Sequence, residues 1–266
     1  MVDIDKEKCV GCMRCVPYCP MRAFIVEDES ISIDQERCVE CAICIRSGAC
    51  RTDALYIPAL PWPRAIRAMF SGGGLGYGPR GTDTISYGYI TGKTSLPERS
   101  PEEVRSQNFG GGGTVEMKTN DATTRFREGE VGIACEMGRP SVGFYFRDLE
   151  KVSKALANHG MEFEPSNPVS TLIDHKTGEI REEYREIRDE KVLRGIIETR
   201  TDDMEKAVRV LKDLKNVAKT IDSVFSVDII NKCKDGKIPF KPMLDEAGIE
   251  VMINGKTCVG LGRRIE

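Results

Sequence analysis

Eight cysteines fall within the first fifty residues of this 266-residue chain, at positions 9, 12, 15, 19, 38, 41, 44 and 50. Three more, Cys135, Cys233 and Cys258, are scattered downstream. A secreted disulfide framework would spread its cysteines across the folded unit and follow a signal peptide. The opening MVDIDKEKCV places two acids before its first base and has no apolar core, so no secretory signal is expected. Crowded thiols without an oxidising address point to metal ligation.

The first run, Cys9-Val-Gly-Cys12-Met-Arg-Cys15-Val-Pro-Tyr-Cys19-Pro20, has the form C-x2-C-x2-C-x3-C-P. Three thiolates at that spacing let a tight loop wrap one cubane. A fourth on a short following helix, with Pro20 in its first turn, is carried away from the other three. The second run is an internal duplicate. Val2 to Val10 aligns with Ile31 to Val39 at an offset of 29, which holds through Cys12/Cys41 and Cys15/Cys44. The offset becomes 31 at Cys19/Cys50 and stays so for Ala23-Phe24-Ile25 against Ala54-Leu55-Tyr56. Two residues are therefore inserted before Cys50, and Arg51 stands where the first run has proline. Zinc ribbons use two C-x2-C pairs per ion, whereas each run here offers three cysteines in consecutive steps plus a fourth.

Residues 1–57 resemble the bacterial-type ferredoxins that carry two [4Fe–4S] clusters. The resemblance implies a pseudo-two-fold fold with crossed ligation. Cys9, Cys12, Cys15 and Cys50 would hold one cluster, and Cys38, Cys41, Cys44 and Cys19 the other. Val10, Ile25, Val26, Ile31, Ile33, Val39, Ile43, Ile45 and Ile57 are expected to form a small apolar shell that limits water. Ten acids and seven bases make this segment mildly acidic, which favours a basic partner surface.

Residues 58–128 are expected to form an extended arm rich in glycine and proline, packed on another subunit. Trp62, Met69, Phe70, Tyr77, Tyr87, Tyr89 and Phe109 are spaced through it, so it is not a solvated linker. A short helix is expected at Arg64–Phe70. Gly76 to Gly81 formally matches G-x-G-x-x-G, but a helix candidate precedes it and Pro79 interrupts it, so the dinucleotide fingerprint is absent. No phosphate-binding G-x4-G-K-[ST] loop occurs, so ATP hydrolysis is not indicated.

Residues 129–266 read as an α+β domain. Strands are expected at Val131–Cys135, Met161–Glu164, Val169–Ile173, Val192–Glu198 and Ser223–Ile230. Helices are expected at Arg147–Ala157, on Leu149, Val152 and Leu156, and at Asp202–Leu214, capped by Thr201 or Asp202. Lys176-Thr-Gly178 reads as a turn. The order βαββαβ is that of the ferredoxin-like sandwich, ACT-type domains among them. A terminal hairpin is expected from Ile249–Ile253 and Lys256–Val259 about Asn254-Gly255. The loop from Glu136 to Gly143 could present Arg139 to an anion, against the plainer reading of a strand-to-helix connection. Cys135 reads as a small buried hydrophobe, and His159 and His175 as a helix end and a turn. No catalytic constellation is apparent.

Two [4Fe–4S] clusters are thus the expected cofactors, and an electron-transfer component rather than a stand-alone catalyst the expected role. The chain would be the ferredoxin-type subunit that feeds a larger partner oxidoreductase in anaerobic metabolism. Two other readings stay open: a self-contained iron–sulfur reductase with a site near Gly110–Gly113 and Arg139, and a ligand-sensing or sulfur-assimilation accessory protein. The latter is similar to NIL–ferredoxin proteins, with the order of modules reversed. A formal charge of −3 suggests neither nucleic acid nor an anionic membrane as partner. No apolar run reaches the roughly 20 residues a membrane span needs. A cytoplasmic protein that pairs with a redox partner, and with its own copies through the α+β domain, is the expectation.

Overall fold

Asp5 and Asp34, equivalent positions of the cysteine repeat, organise the two loops in the same way. Each backbone carbonyl accepts from the first cysteine N–H of its run, Cys9 at 2.9 Å and Cys38 at 3.0 Å. Each side chain accepts from the N–H two residues on, Glu7 at 3.0 Å and Glu36 at 2.9 Å. Such Asx turns occupy the acid's short side chain and start a loop without a helix. The computed structural model describes residues 2–28, 30–56, 63–71, 127–138, 142–165, 167 and 169–252. They separate into two units. The first comprises described residues of 2–71 with 138, 142–146 and 186–195; the second comprises 127–137, 147–185 and 196–252.

In the first unit the duplication is visible as strand pairing. Strand β1 (Asp3–Ile4) pairs with β4 (Leu55–Tyr56), with Ile4 opposite Leu55. Strand β2 (Phe24–Glu27) pairs with β3 (Ser30–Ile33), with Ile33 opposite Phe24. Both ladders are antiparallel, and their registers map onto each other through the offsets of 29 and 31. Left-handed backbone recurs at the same places: Gly11 and Glu40, Met13 and Ala42, Arg22 and Asp53. A buried apolar layer of Val2, Ile4, Ala23, Ile31 and Leu55 sits between the ladders and the cysteines. A short 3-10 helix, Val16–Tyr18, lies before Cys19 rather than after it. Pro17, not Pro20, occupies its first turn, because the proline there forfeits no hydrogen bond. Helix α1 (Ile43–Arg46) is its longer counterpart, and the two inserted residues follow it in a turn at Ser47 and Gly48.

Helix α2 (Ala65–Ser71) belongs to the same unit, as do β6 (Phe144–Tyr145) and β8 (Lys191–Val192), which pair antiparallel. Phe146 stacks edge-on against Phe70 and Phe144, with centroids 5.4 and 5.6 Å apart. The Ser71 hydroxyl accepts from the Leu193 N–H at 2.9 Å. The run expected as one strand, Val192–Glu198, is broken at this point. Val192 ends β8, and the next strand, β9 (Gly195–Thr201), lies in a different sheet. Apolar residues on both sides of Arg194-Gly195 record burial, not continuity of a strand.

The second unit carries a four-stranded sheet in the order β10–β5–β9–β7, from β5 (Val131–Met137), β7 (Glu162–Phe163), β9 (Gly195–Thr201) and β10 (Phe225–Asn231). Strand β5 is buried along its whole length, Glu136 included. Helix α3 (Phe146–Asn158) buries Leu149, Val152 and Leu156 completely. Removing three such side chains from water contributes roughly 1.5–3 kcal/mol each. Helix α4 (Met204–Val217) buries Ala207, Val210 and Leu214. Its cap is Asp203, whose carboxylate accepts from the Lys206 N–H at 2.8 Å, rather than the expected Thr201 or Asp202.

Two expected elements of this unit are corrected. Val169–Ile173 is buried but forms no strand; only Ile173 bridges, to Ile180, across the turn at Lys176-Thr177-Gly178. Its residues, Ser170 and Thr171 among them, are buried without a ladder. Residues 249–252 are likewise outside any strand, with Met252 81% exposed, and instead follow helix α5 (Lys241–Glu246). The rest of the expected hairpin, from 253 onward, lies outside the described residues, as does nearly all of the expected arm. Among the described residues no helix is long and apolar enough to cross a membrane.

Candidate metal centre

The eight clustered cysteines line two pockets, four to each, and neither pocket is served by a single run. One, with about 330 Å³ of atom-free space including its mouth, is lined by Cys9, Cys12, Cys15 and Cys50 together with Ile4, Thr52 and Leu55. The other, of about 350 Å³, is lined by Cys38, Cys41, Cys44 and Cys19 together with Val2, Met21 and Val39. Three cysteines come from a loop and the fourth from the end of the opposite repeat. The strand pairing β1–β4 and β2–β3 produces this exchange, since each ladder joins the start of one run to the far end of a run.

Both fourth cysteines are fixed alike. Cys19 Sγ accepts from the Ala23 N–H and Cys50 Sγ from the Ala54 N–H, each at 3.2 Å. Cys50 has an additional neighbour in the Thr52 hydroxyl, 3.6 Å away. Burial works to raise the Cys50 thiol, but these hydrogen bonds outweigh it and hold the group below its ordinary value. Elsewhere burial prevails. Desolvation raises Cys15, and it pushes Cys38 and Cys44 up to about 12, with the neighbouring cysteines of the same pocket adding to the effect. At Cys38 the Glu40 carboxylate adds to it as well. Such thiols give up their protons only to a strongly bound metal, so loading here would release protons.

The donor set fits an iron–sulfur cluster: four sulfurs per pocket, apolar walls and backbone N–H groups aimed at sulfur. Among the described residues no three His, Cys, Asp or Glu side chains converge as they would on a single metal ion. The pockets differ in exposure. Cys12 is open to solvent and Val10 is 70% exposed, whereas Cys38, Cys41 and Cys44 are all buried. The expected apolar shell is therefore corrected in part. Ile31 and Val39 are buried and Ile33, Ile43 and Ile45 half-buried, but Val10, Ile25 and Val26 face solvent and Ile57 is not described. Val2, Ile4, Ala23 and Leu55 supply the wall instead; Ile25 and Val26, on opposite faces of β2, are both exposed, and Val10 lies in a loop outside any strand.

Three side chains around the buried pocket escaped the sequence reading. Glu40 Oε2 accepts from the Val2 N–H at 2.6 Å, and Oε1 lies 3.5 Å from Arg64 Nε. Arg67 donates to the Cys38 carbonyl at 2.9 Å and the Gln35 carbonyl at 3.0 Å, and pairs with Glu190. One signal was available: the repeat sets Glu40 against Gly11, an acid where the first run has no side chain at all.

Among the described residues, the remaining candidates do not line these pockets. Cys135 is fully buried in β5. Cys233 is exposed. His159 faces Asp213 at 3.2 Å, and His175 stacks on Phe163. Gly110–Gly113, Arg139 and Cys258 lie outside the described residues.

The family model described as a 4Fe–4S binding domain matches residues 2–25, which contain the whole first cysteine run. No curated protein and no solved structure matches the chain. Residues 2–25 are thus similar to a 4Fe–4S binding domain, which supports 4Fe–4S cluster binding by this segment.

Proposed function

We propose that the chain is an electron-transfer subunit that holds two [4Fe–4S] clusters. One would sit on Cys9, Cys12, Cys15 and Cys50, the other on Cys19, Cys38, Cys41 and Cys44. The observation that carries this reading is the pair of four-sulfur pockets, each drawing its fourth cysteine from the opposite repeat. Bound there, the clusters would accept and release electrons singly, at potentials set by charge, hydrogen bonds to sulfur and solvent access. The protein's own part is to hold the sulfurs, aim the Ala23 and Ala54 N–H groups at two of them, and keep water from Cys38, Cys41 and Cys44.

The exposed loop around Val10 and Cys12 offers the closer approach for a redox partner, in line with a short path for the electron. We read the partner as a larger oxidoreductase of anaerobic, cytoplasmic metabolism, with chemistry on the partner's own cofactor. The strand order β10–β5–β9–β7, with α3 and α4 each joining two of these strands, supports a ferredoxin-like sandwich for the second unit. That unit would serve to engage the partner or a second copy of the chain.

Protein purified without oxygen should contain about eight irons and eight acid-labile sulfides per chain. It should show reduced-cluster paramagnetic resonance signals and pass electrons to artificial acceptors. Stoichiometric zinc, or about four irons, would overturn the two-cluster reading; anaerobic co-purification tests the partner.

A further inference from the structure

The two pockets are related by the repeat, yet among the described residues a buried carboxylate, Glu40, stands beside only one of them, while at the other Lys6 donates to the Ile31 carbonyl. Glu40 occupies the position of Gly11, one residue before Cys41 and two after Cys38. It is 1% exposed and adopts a left-handed backbone at φ 57°, near the 64° of Gly11. A buried, non-glycine residue in that conformation carries strain that its surroundings must hold in place. The Val2 N–H and Arg64 do so. Arg67 comes from α2, beyond the cysteine repeat, and its guanidinium is anchored to the carbonyls of Gln35 and Cys38 and to Glu190. Around the Cys9 loop the described residues provide neither a buried carboxylate nor a guanidinium on a cysteine carbonyl.

We infer that Glu40 and Arg67 are positioning residues that make the two cluster sites electronically unequal, acting on the Cys19/Cys38/Cys41/Cys44 site alone. This rests on the two-cluster reading above. A unit charge a few ångströms away, in surroundings dry enough to bury Cys38, Cys41 and Cys44, is weakly screened. Reduction adds one negative charge to the site. The Glu40 carboxylate opposes that addition and the Arg67 guanidinium favours it. The fork of Arg67 also fixes the Cys38 loop, which a lysine could not do with the same geometry.

The test is an anaerobic redox titration of the full chain followed by paramagnetic resonance, with iron counted in each sample. Wild type should carry about eight irons and show two separable midpoints. Glu40→Gln should move one midpoint to more positive potential. Arg67→Gln should move that same midpoint to more negative potential, and Arg67→Lys should restore it in part. In a Cys9→Ala/Cys50→Ala background, which keeps a complete ligand set at the Cys38 site only, both shifts should persist. Shifts of the same sign in both glutamine variants would reveal a loosened loop rather than charge, and would overturn the inference. So would two midpoints that stay fixed, or a shift confined to the Cys9 site. Should Arg67→Gln lose iron, the isosteric Glu40→Gln still decides. Wild type with well under eight irons would instead sink the two-cluster reading, and the inference with it.

Discussion

Glu40 reaches across 38 residues of chain to accept the Val2 N–H at 2.6 Å, joining the second cysteine loop to the strand that opens the first repeat. Val2 is 1% exposed and heads β1, whose partner β4 carries the end of the second run. The contact therefore ties the start of one half to the middle of the other. Gly11, its repeat equivalent, has no side chain with which to return the favour, so the two-fold relation holds for backbone and cysteines and fails for charge.

Crossed ligation predicts which double substitutions spare a cluster. Cys9→Ala with Cys50→Ala removes two ligands from one pocket, and should leave about four irons of an original eight. Cys9→Ala with Cys19→Ala removes one from each pocket, and should leave few or none. Iron analysis of anaerobically purified variants reads the difference directly. Were each run to serve its own cluster, the two outcomes would be exchanged.

How far sequence reasoning reached depended on whether a feature was local. The cysteine spacings, the 29-residue offset and the turn at Lys176-Thr177-Gly178 are local, and the structure has the repeat and the turn where the sequence put them. The helix faces of α3 and α4 were legible for the same reason, since Leu149, Val152 and Leu156 recur at helical spacing. Burial without a ladder misled. Val169–Ile173 is buried like a strand, yet only Ile173 makes a bridge, to Ile180. Val192–Glu198 hides a break at Leu193, whose N–H goes to Ser71. The short α5 also went unseen, because its six residues offer too little periodicity to register. Arg67 was invisible for a different reason. Nothing in a helix of seven residues announces that one arginine will be bonded to a cysteine carbonyl 29 positions earlier.

Gly178 is a position where a single methyl should be costly. Its φ is 73°, and an added Cβ would lie 2.4 Å from the Ser153 carbonyl oxygen and 2.5 Å from the Lys154 nitrogen. Both are helix backbone and cannot rotate away. Gly178→Ala combines the left-handed penalty with overpacking, together about 3 kcal/mol. Urea denaturation of the intact protein should show the unfolding free energy fall by that much, with a lower midpoint, while iron content stays at wild type. An unchanged midpoint would mean that the turn and α3 do not approach this closely.

The Asp203 cap makes a smaller and more local prediction. Asp203→Ala removes the acceptor for the Lys206 N–H and should cost about 1 kcal/mol. Asp203→Asn keeps an acceptor and should recover most of that loss. The same denaturation experiment applies, and a full-sized effect from Asn would assign the residue's worth to charge rather than capping.

Cys135 should make stability fall on the alkaline side. It is fully buried in β5, and desolvation, with a smaller contribution from Asp228, raises its thiol well above the ordinary value. The folded chain therefore holds this proton more tightly than the unfolded chain, whose thiol ionises near its reference of about 8.5. The associated stability is complete below that pH and is lost as pH rises, at up to about 1.4 kcal/mol per pH unit for one proton. Cys135→Ala lacks the group, so its modest deficit at pH 8 should shrink as denaturation is repeated at pH 9, 10 and 10.5. Parallel curves for the two proteins over that range would show that the thiol is not sealed in the sheet, and an alkylating reagent should then modify it without unfolding.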